Sequence, residues 1–252
     1  MIRLFAVVSA VACAAIALGQ AGQADAKEAL LKTVEAYAKA NTFTSTTTTK
    51  LYVHIQDSKN DAELKTMQLE YRFNRAGRLW IKRSEFSQPG AKLPNIVEHV
   101  YWENGELWQN QGRWDGQQVH TSRKSVKTSP NSAVLLEFLP QFNVEPMPDM
   151  VFLLGGRTQT ERFLGKITEL RMTRQESGAL LTGKTRDESN RPVDLEIVLG
   201  PDNLMQRMKM SVSIKYENHK ALMVVDMEFK PVLNPELEDT DFAPAKVGRP
   251  GQ

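Results

Sequence analysis

The stretch IVEHVYWENGELWQNQ, residues 96–111, predicts a β-hairpin and therefore an antiparallel sheet. Asn104-Gly105 separates two runs of strand-forming residues, and Asn-Gly is the strongest short signal for a tight hairpin turn. The turn aligns Trp102 with Leu107 and Tyr101 with Trp108, so aromatic side chains occupy both faces of the hairpin. This region indicates a sheet that is covered on at least one side.

Alternation of apolar and polar residues continues on both sides of the hairpin, as half-buried strands require. Further strands are predicted at residues 43–56, 67–73, 79–81, 179–184, 193–199, 208–216 and 223–229. Because short turns join these strands in sequence, we predict a mainly β chain with some α (α+β). Its architecture is a single incomplete antiparallel β-barrel, a curved meander with helices over its concave face.

Helical patterns are confined to two regions. Residues 27–41 repeat apolar side chains at helical spacing and predict an N-terminal helix. Residues 129–156 carry two short apolar clusters that are interrupted by Pro140 and Pro148 and followed by Gly155-Gly156. We predict short lid helices there, with no long amphipathic helix and no helix after the glycine pair.

The first 26 residues have the features of an export signal. A short positive start precedes an apolar run from Leu4 to Leu18, and Ala24-Asp25-Ala26 fits the small-x-small cleavage pattern. We expect cleavage near Ala26, before Lys27, and one domain over residues 27–252 in the periplasm. The alternatives are an uncleaved membrane anchor and lipidation of Cys13, the single cysteine.

The charge pattern and the missing motifs exclude several functions. The formal net charge is +2, with lysines and arginines scattered, which does not predict a nucleic-acid partner. The four histidines lack metal-ligand spacing, and neither a G-x-S-x-G elbow nor a phosphate-binding glycine loop occurs. We therefore expect no catalytic residue, no metal and no cofactor. An enzyme whose site forms only in the fold is the remaining alternative.

Flexible apolar residues concentrate on the predicted strands. Methionines are frequent in surfaces that accept varied apolar ligands, although single ones more often fill a core. A long curved sheet with few helices encloses more apolar surface than those helices cover, which favours a cavity. The cavity candidates are Leu51, Val53, Met67, Leu69, Tyr71, Phe73, Leu79, Ile81, Met208, Met210, Val212, Met223, Val225 and Met227. The lid candidates are Val134, Leu135, Leu136, Phe138, Leu139, Met150, Val151, Phe152, Leu153 and Leu154.

Several segments, taken in order, resemble the LolA-like superfamily of periplasmic lipoprotein carriers, with its RseB-like branch and its mycobacterial lipid carriers. These segments are YRFNRAGRLWIKRSEFSQP at 71–89, the hairpin at 96–111, NSAVLLEFL at 131–139 and LEDTDFAPAKVG at 237–248. The resemblance implies an incomplete barrel closed by helices, without catalysis. Its apolar cavity would hold the acyl chains of a lipoprotein or lipid.

The resemblance also assigns individual residues. Arg75 falls where the family has the arginine that helps hold the lid closed, but Asn74 and Ala76 replace the lysine and proline beside it. Pro244 is followed by alanine, not by a second proline, so the match is better to the superfamily than to the dedicated carrier. We expect Phe242 to plug the end of the barrel.

Two functions follow from the resemblance. The first is a carrier of acyl chains, monomeric and not an integral membrane protein once the signal is removed. The second is an RseB-like sensor or interaction module with a filled core, in which Tyr101 or Trp108 is exposed to a transient envelope protein partner. The cargo and the partner are not determined by the sequence.

Overall fold

A computed structural model describes residues 23–56, 61–86, 90–114, 119–129, 131–187, 189–217 and 219–243. Within these ranges the strands form one 12-stranded antiparallel sheet. The strands are β1 Thr42–Ile55, β2 Ala62–Asn74, β3 Arg78–Phe86, β4 Ile96–Glu103, β5 Glu106–Trp114, β6 Val119–Lys127, β7 Thr168–Gln175, β8 Gly178–Arg186, β9 Pro192–Leu199, β10 Met205–Tyr216, β11 His219–Phe229 and β12 Val232–Leu233.

The strand order explains how the sheet curves without closing. It runs β6-β5-β4-β3-β2-β1-β11-β10-β9-β8-β7, and β12 pairs with β1. Two meanders, β1 to β6 and β7 to β11, are therefore joined where Thr47 of β1 pairs with Phe229 of β11. The edge strands β6 and β7 are not paired with each other in the described ranges, so the barrel is incomplete. The predicted fold class is confirmed.

The central hairpin forms as the sequence predicts. Tyr101 pairs with Trp108 and Trp102 pairs with Leu107. Asn104 and Gly105 have φ of 49° and 86°, the left-handed conformation that both central residues of this turn type require. Trp102 is buried in the concave core, where its Nε1 donates to Thr128 Oγ1 at 3.0 Å.

The concave face is covered by α1, over residues 23–39, and by a second group of helices. Leu30, Val34 and Tyr37 of α1 are buried in the core. Ala26, the last residue of the predicted signal, is also fully buried and lies within this helix. Cleavage before Lys27 stays a prediction, and Cys13 lies outside the described residues. In the part of the chain that the structure describes, no helix combines the length and apolar character needed to cross a membrane.

The second group of helices, which we call the lid, spans residues 132–165. It comprises the 3₁₀ helix η1 Ser132–Val134, α2 Leu135–Phe138, η2 Leu139–Phe142 and α3 Pro148–Gly165. The helix α3 is 18 residues long and continues through both glycines to Gly165. The prediction that no helix follows Gly155-Gly156 is therefore wrong. Each glycine costs about 1 kcal/mol relative to alanine. Burial of apolar side chains on either side of the pair offsets that cost.

The charged stretch around Arg123, Lys124 and Lys127 belongs to the edge strand β6, which is not among the predicted strands. Residues 120–125 and Lys127 are exposed, and Val126 packs partly against the core. The strand forms because β5 supplies its hydrogen-bonding partner along nine residues. The local sequence lacks the apolar alternation that predicts a strand, so β6 could not be predicted from the sequence alone.

The outer face of the sheet carries a cluster of stacked aromatic side chains. The sequence predicts that one of them, Tyr101 or Trp108, is exposed. Tyr101 is only 2% exposed, so the expectation that it faces a protein partner is wrong. It stacks on His99 at 6.2 Å and on Trp108 at 5.8 Å between ring centroids. Trp108 is half-buried, and its predicted role toward a partner remains a prediction.

Phe242 does not plug the barrel. It ends the 3₁₀ helix η3, Asp239–Phe242, and is half-buried on the outer face, with the Arg78 guanidinium 5.9 Å from its ring centroid. Arg72 Nη1 donates to the Asp241 carbonyl at 2.8 Å and fixes the same segment. The alternation that turns Phe73 inward places Arg72 outward, so this anchor lies outside the cavity.

Candidate functional site

A pocket of about 450 Å³ lies between the concave face and the start of the connection from η2 to α3. Leu51 of β1 pairs with Val225 of β11, and Thr49 of β1 pairs with Met67 of β2, so the pocket floor is formed by cross-strand neighbours. The full lining is Thr49, Leu51, Lys65, Met67, Arg83, Pro140, Asn143, Glu145 and Val225. The floor is therefore mainly apolar, and charged groups line the sides.

The two basic side chains of the pocket are engaged in ion pairs. Lys65 Nζ lies 3.0 Å from Glu85 Oε1. Arg83 Nη1 lies 2.7 Å from Glu98 Oε2 and Arg83 Nη2 lies 2.5 Å from Glu85 Oε2. Because Glu98 is almost fully buried, its charge requires the Arg83 partner. These arginine and lysine charges are thus neutralised by the protein itself.

The predicted cavity residues fall into three groups. Leu51, Met67 and Val225 border the pocket, while Met210 and Met223 are half-buried elsewhere on the concave side. The others are buried: Val53, Leu69, Tyr71, Phe73, Leu79, Ile81, Met208, Val212 and Met227. Most of the predicted set therefore fills the space beneath the helices, and the space left open is smaller than the sequence suggested.

The predicted lid residues mostly anchor the helices to the sheet. Leu135, Leu139, Met150, Phe152, Leu153 and Leu154 are buried, and Val134, Leu136, Phe138 and Val151 are half-buried. Phe152 contacts Tyr37 of α1 and Phe163 of α3, with ring centroids 6.2 Å and 6.1 Å away. The lid and α1 thus form one packed layer over the sheet.

Arg75 has a different partner from the one that the resemblance implies. Its Nε donates to the Ala40 carbonyl at 3.0 Å, and its Nη2 donates to the Tyr37 carbonyl at 3.5 Å. These are carbonyls at the C-terminal end of α1, where a cation also interacts favourably with the helix dipole. In this structure Arg75 secures α1 rather than the lid.

A buried polar cluster connects the lid to β1, and sequence reasoning missed it. Ser45 Oγ donates to Asp149 Oδ2 at 3.1 Å, and the backbone N–H of Met150 donates to Asp149 Oδ1 at 2.9 Å. Asp149 is fully buried, and this burial raises the pKa of its carboxyl to about 6, although hydrogen bonds to the carboxylate partly oppose the shift. Asp149 directly follows Pro148 and precedes an apolar run, a pattern that is typical of a helix N-terminus. This pattern is the signal in the sequence that could have identified Asp149.

The tyrosines near this carboxyl are buried as well. Burial raises the pKa of Tyr71 well above its ordinary value, and the Asp149 charge adds to the shift. The hydroxyls of Tyr37 and Tyr71 have no hydrogen-bonding partner of normal geometry among the described residues. The interior of this fold therefore combines an apolar lining with several hydroxyl groups.

A larger depression of about 1060 Å³ lies at the β10–β11 end, where apolar residues such as Ile214 and Leu222 and charged residues such as Lys215 line it together. It is away from the lid and adjoins segments outside the described ranges, so we take the lid-covered pocket as the candidate site. Among the residues that the structure describes, no group of three His, Cys, Asp or Glu side chains is placed to hold a metal ion.

The fold and the pocket define an open antiparallel half-barrel with a helical lid, as the resemblance implies. No family model matches the chain, and no curated protein matches it. Solved structures that are similar to this chain include a DUF1329 family protein from Desulfovibrio piger, LprF from Mycobacterium bovis and an outer membrane lipoprotein-sorting protein domain from Vibrio parahaemolyticus.

These similarities are distant. The three structures are 9%, 12% and 10% identical to this chain, with TM-scores of 0.31, 0.38 and 0.29. The alignments cover 89%, 84% and 89% of this chain and 96%, 96% and 97% of those chains, in the same order. Because each TM-score is below 0.5, the description of the fold rests on the strand order of the chain itself.

Proposed function

We propose that this chain is an exported binding or carrier protein that holds an acyl chain of a lipid or lipoprotein and catalyses no reaction. The observation that carries the proposal is the pocket of about 450 Å³ on the lid-covered concave face, whose floor is formed by Leu51, Met67 and Val225. Its volume lies within the range of ligand sites, about 300–1,000 Å³. Each buried methylene contributes about 0.8 kcal/mol, so a long chain supplies affinity without an ionic anchor.

The remaining elements of the proposal concern location and assembly. We propose that residues 1–26 direct export and are removed, and that residues 27–252 act as one monomeric domain in the periplasm. The partners are acyl chains and a transient envelope protein, and neither a nucleic acid nor a cofactor takes part.

A second candidate is the sensor or interaction module with a filled core. It is favoured by the tight packing of most predicted cavity residues, including Tyr71, Phe73 and Ile81. In this alternative the pocket is incidental, and a protein partner binds the outer surface near the half-buried Trp108. The carrier requires a ligand in the pocket for its function, whereas the sensor does not.

A substitution that fills the pocket distinguishes the carrier from the sensor. We expect Leu51→Trp to weaken binding of a fluorescent fatty acid at least about ten-fold, because the indole occupies the space of several methylenes. The matched control is Leu64→Trp on β2, since Leu64 is 44% exposed and does not line the pocket. Binding is measured by fluorescence titration, and thermal melting verifies that both variants fold.

Native mass spectrometry of protein purified from the periplasm provides an independent test. A co-purifying lipid that is lost in Leu51→Trp and kept in Leu64→Trp supports the carrier. The carrier proposal fails if the wild-type protein retains no lipid and does not bind the fluorescent fatty acid. Recovery of a membrane partner in a pull-down, together with such a result, favours the sensor.

A further inference from the structure

The inward-facing residues of β1 change in character along the strand. Leu51 and Val53 are apolar, whereas Ser45, Thr47 and Thr49 carry hydroxyl groups. Alternate residues of a strand are about 7 Å apart on the same face. The three hydroxyls therefore form a line that leads from the pocket floor, at Thr49, to the beginning of α3 beneath the lid.

Within the described ranges, only the far end of this line has a hydrogen-bonding partner. Ser45 donates to Asp149 of the lid at 3.1 Å. The Oγ1 atoms of Thr47 and Thr49 are buried and have no hydrogen-bonding partner among the described residues. Buried polar groups are nearly always paired, so two adjacent unpaired hydroxyls beside a pocket call for an explanation.

The charges around the pocket restrict what such a partner can be. The cationic groups of Lys65 and Arg83 are already paired with Glu85 and Glu98. Glu145 contributes a further carboxylate to the lining. A free fatty-acid carboxylate therefore meets the Glu145 carboxylate and no unpaired cation among the described lining residues, whereas an uncharged ester carbonyl accepts a hydrogen bond from a threonine hydroxyl without repulsion by Glu145.

We propose that Thr49 forms a polar subsite that selects uncharged acyl esters over free fatty acids, an inference that rests on the proposed function. Thr49 lines the pocket, and rotation about its χ1 angle exchanges its methyl and hydroxyl groups, which are similar in size. The hydroxyl then donates to the ester carbonyl of a ligand whose hydrocarbon lies against Leu51, Met67 and Val225. Thr47, one inward position further, is fully buried and does not line the pocket, so the subsite is limited to Thr49.

The test uses two probes with the same hydrocarbon chain, 1-monolauroylglycerol and laurate, in displacement of a fluorescent fatty acid from the full chain. We expect the wild-type protein to bind the glycerol ester more tightly. Thr49→Val keeps the shape and removes the hydroxyl, so it should weaken ester binding about five-fold, the equivalent of about 1 kcal/mol, and lower the ratio of ester affinity to laurate affinity.

Thr48→Val is the matched control, since Thr48 is on the same strand and faces the other side of the sheet. Thermal melting without ligand gives a second readout: loss of an unpaired buried hydroxyl should leave the melting temperature equal or higher. Equal ester binding by the wild-type protein and Thr49→Val, or a wild-type preference for laurate, overturns the inference. If binding still responds to Leu51→Trp, the carrier function stands, whereas absence of binding by either lauroyl probe overturns both.

Discussion

Replacing Phe152 with alanine is expected to lower the free energy of unfolding by about 3–5 kcal/mol. Phe152 is 1% exposed and contacts Tyr37 of α1 and Phe163 of α3 edge-on. The substitution removes buried apolar surface and leaves a cavity between the two helical parts of the covering layer, which cannot collapse fully against a rigid sheet. Chemical denaturation at neutral pH measures the change.

A matched substitution tests whether the effect comes from this position. Phe242→Ala removes the same ring from the half-buried outer anchor beside Arg78, and we expect a loss of about 1 kcal/mol or less. Equal losses in the two variants would contradict the assignment of Phe152 to the core. A loss below about 1 kcal/mol in Phe152→Ala would show that the covering layer is loosely packed.

Asp149 is expected to make the lid less stable at neutral pH than in mild acid. Its carboxyl has an ordinary pKa of 3.8, and burial raises it to about 6 in the folded protein. Between these values the folded state holds a proton that the unfolded state releases, so stability from this group falls as pH rises from about 4 to about 6. The cost of ionisation is fully present above the folded pKa and amounts to about 3 kcal/mol.

Asp149→Asn should remove this cost. The amide keeps an oxygen for the Met150 N–H and can donate from its nitrogen to Ser45 Oγ, so the variant should be more stable than the wild type at pH 7.5 by up to about 3 kcal/mol. Near pH 4 the difference should vanish. Denaturation across this pH range is the measurement, with the exposed Asp194→Asn on β9 as the control for charge removal. A constant difference at every pH would refute the buried-carboxyl explanation.

Residues 96–111 and 119–127 show what a local sequence pattern can and cannot predict. Asn104-Gly105 and the flanking alternation specify a hairpin within 16 residues, and the structure forms it in the predicted register. Residues 119–127 have no apolar alternation and become strand β6 because β5 provides the hydrogen bonds. The same reason explains α3, whose glycine pair has low helix propensity but lies between segments that bury apolar side chains against the sheet and α1.

The sequence likewise predicted only part of the candidate site. Alternation identified Leu51, Met67 and Val225 as inward-facing, and these residues border the pocket. It equally identified Leu69 and Ile81, which are buried in the core. Inward orientation is a local property of the strand, whereas an open or filled space depends on where the helices lie above each residue.

The sequence by itself determined the strand-rich class, the helical cover and the face to which most side chains point, since each depends on a period of a few residues. Only the tertiary structure decided that Thr47 meets Phe229, that Asp149 is buried against Ser45, and that a pocket lies beside Thr49 and Leu51 of β1. These features join residues more than 100 positions apart, and their energies come from packing and desolvation that no local pattern encodes. The pocket and its unpaired hydroxyls belong to this second group.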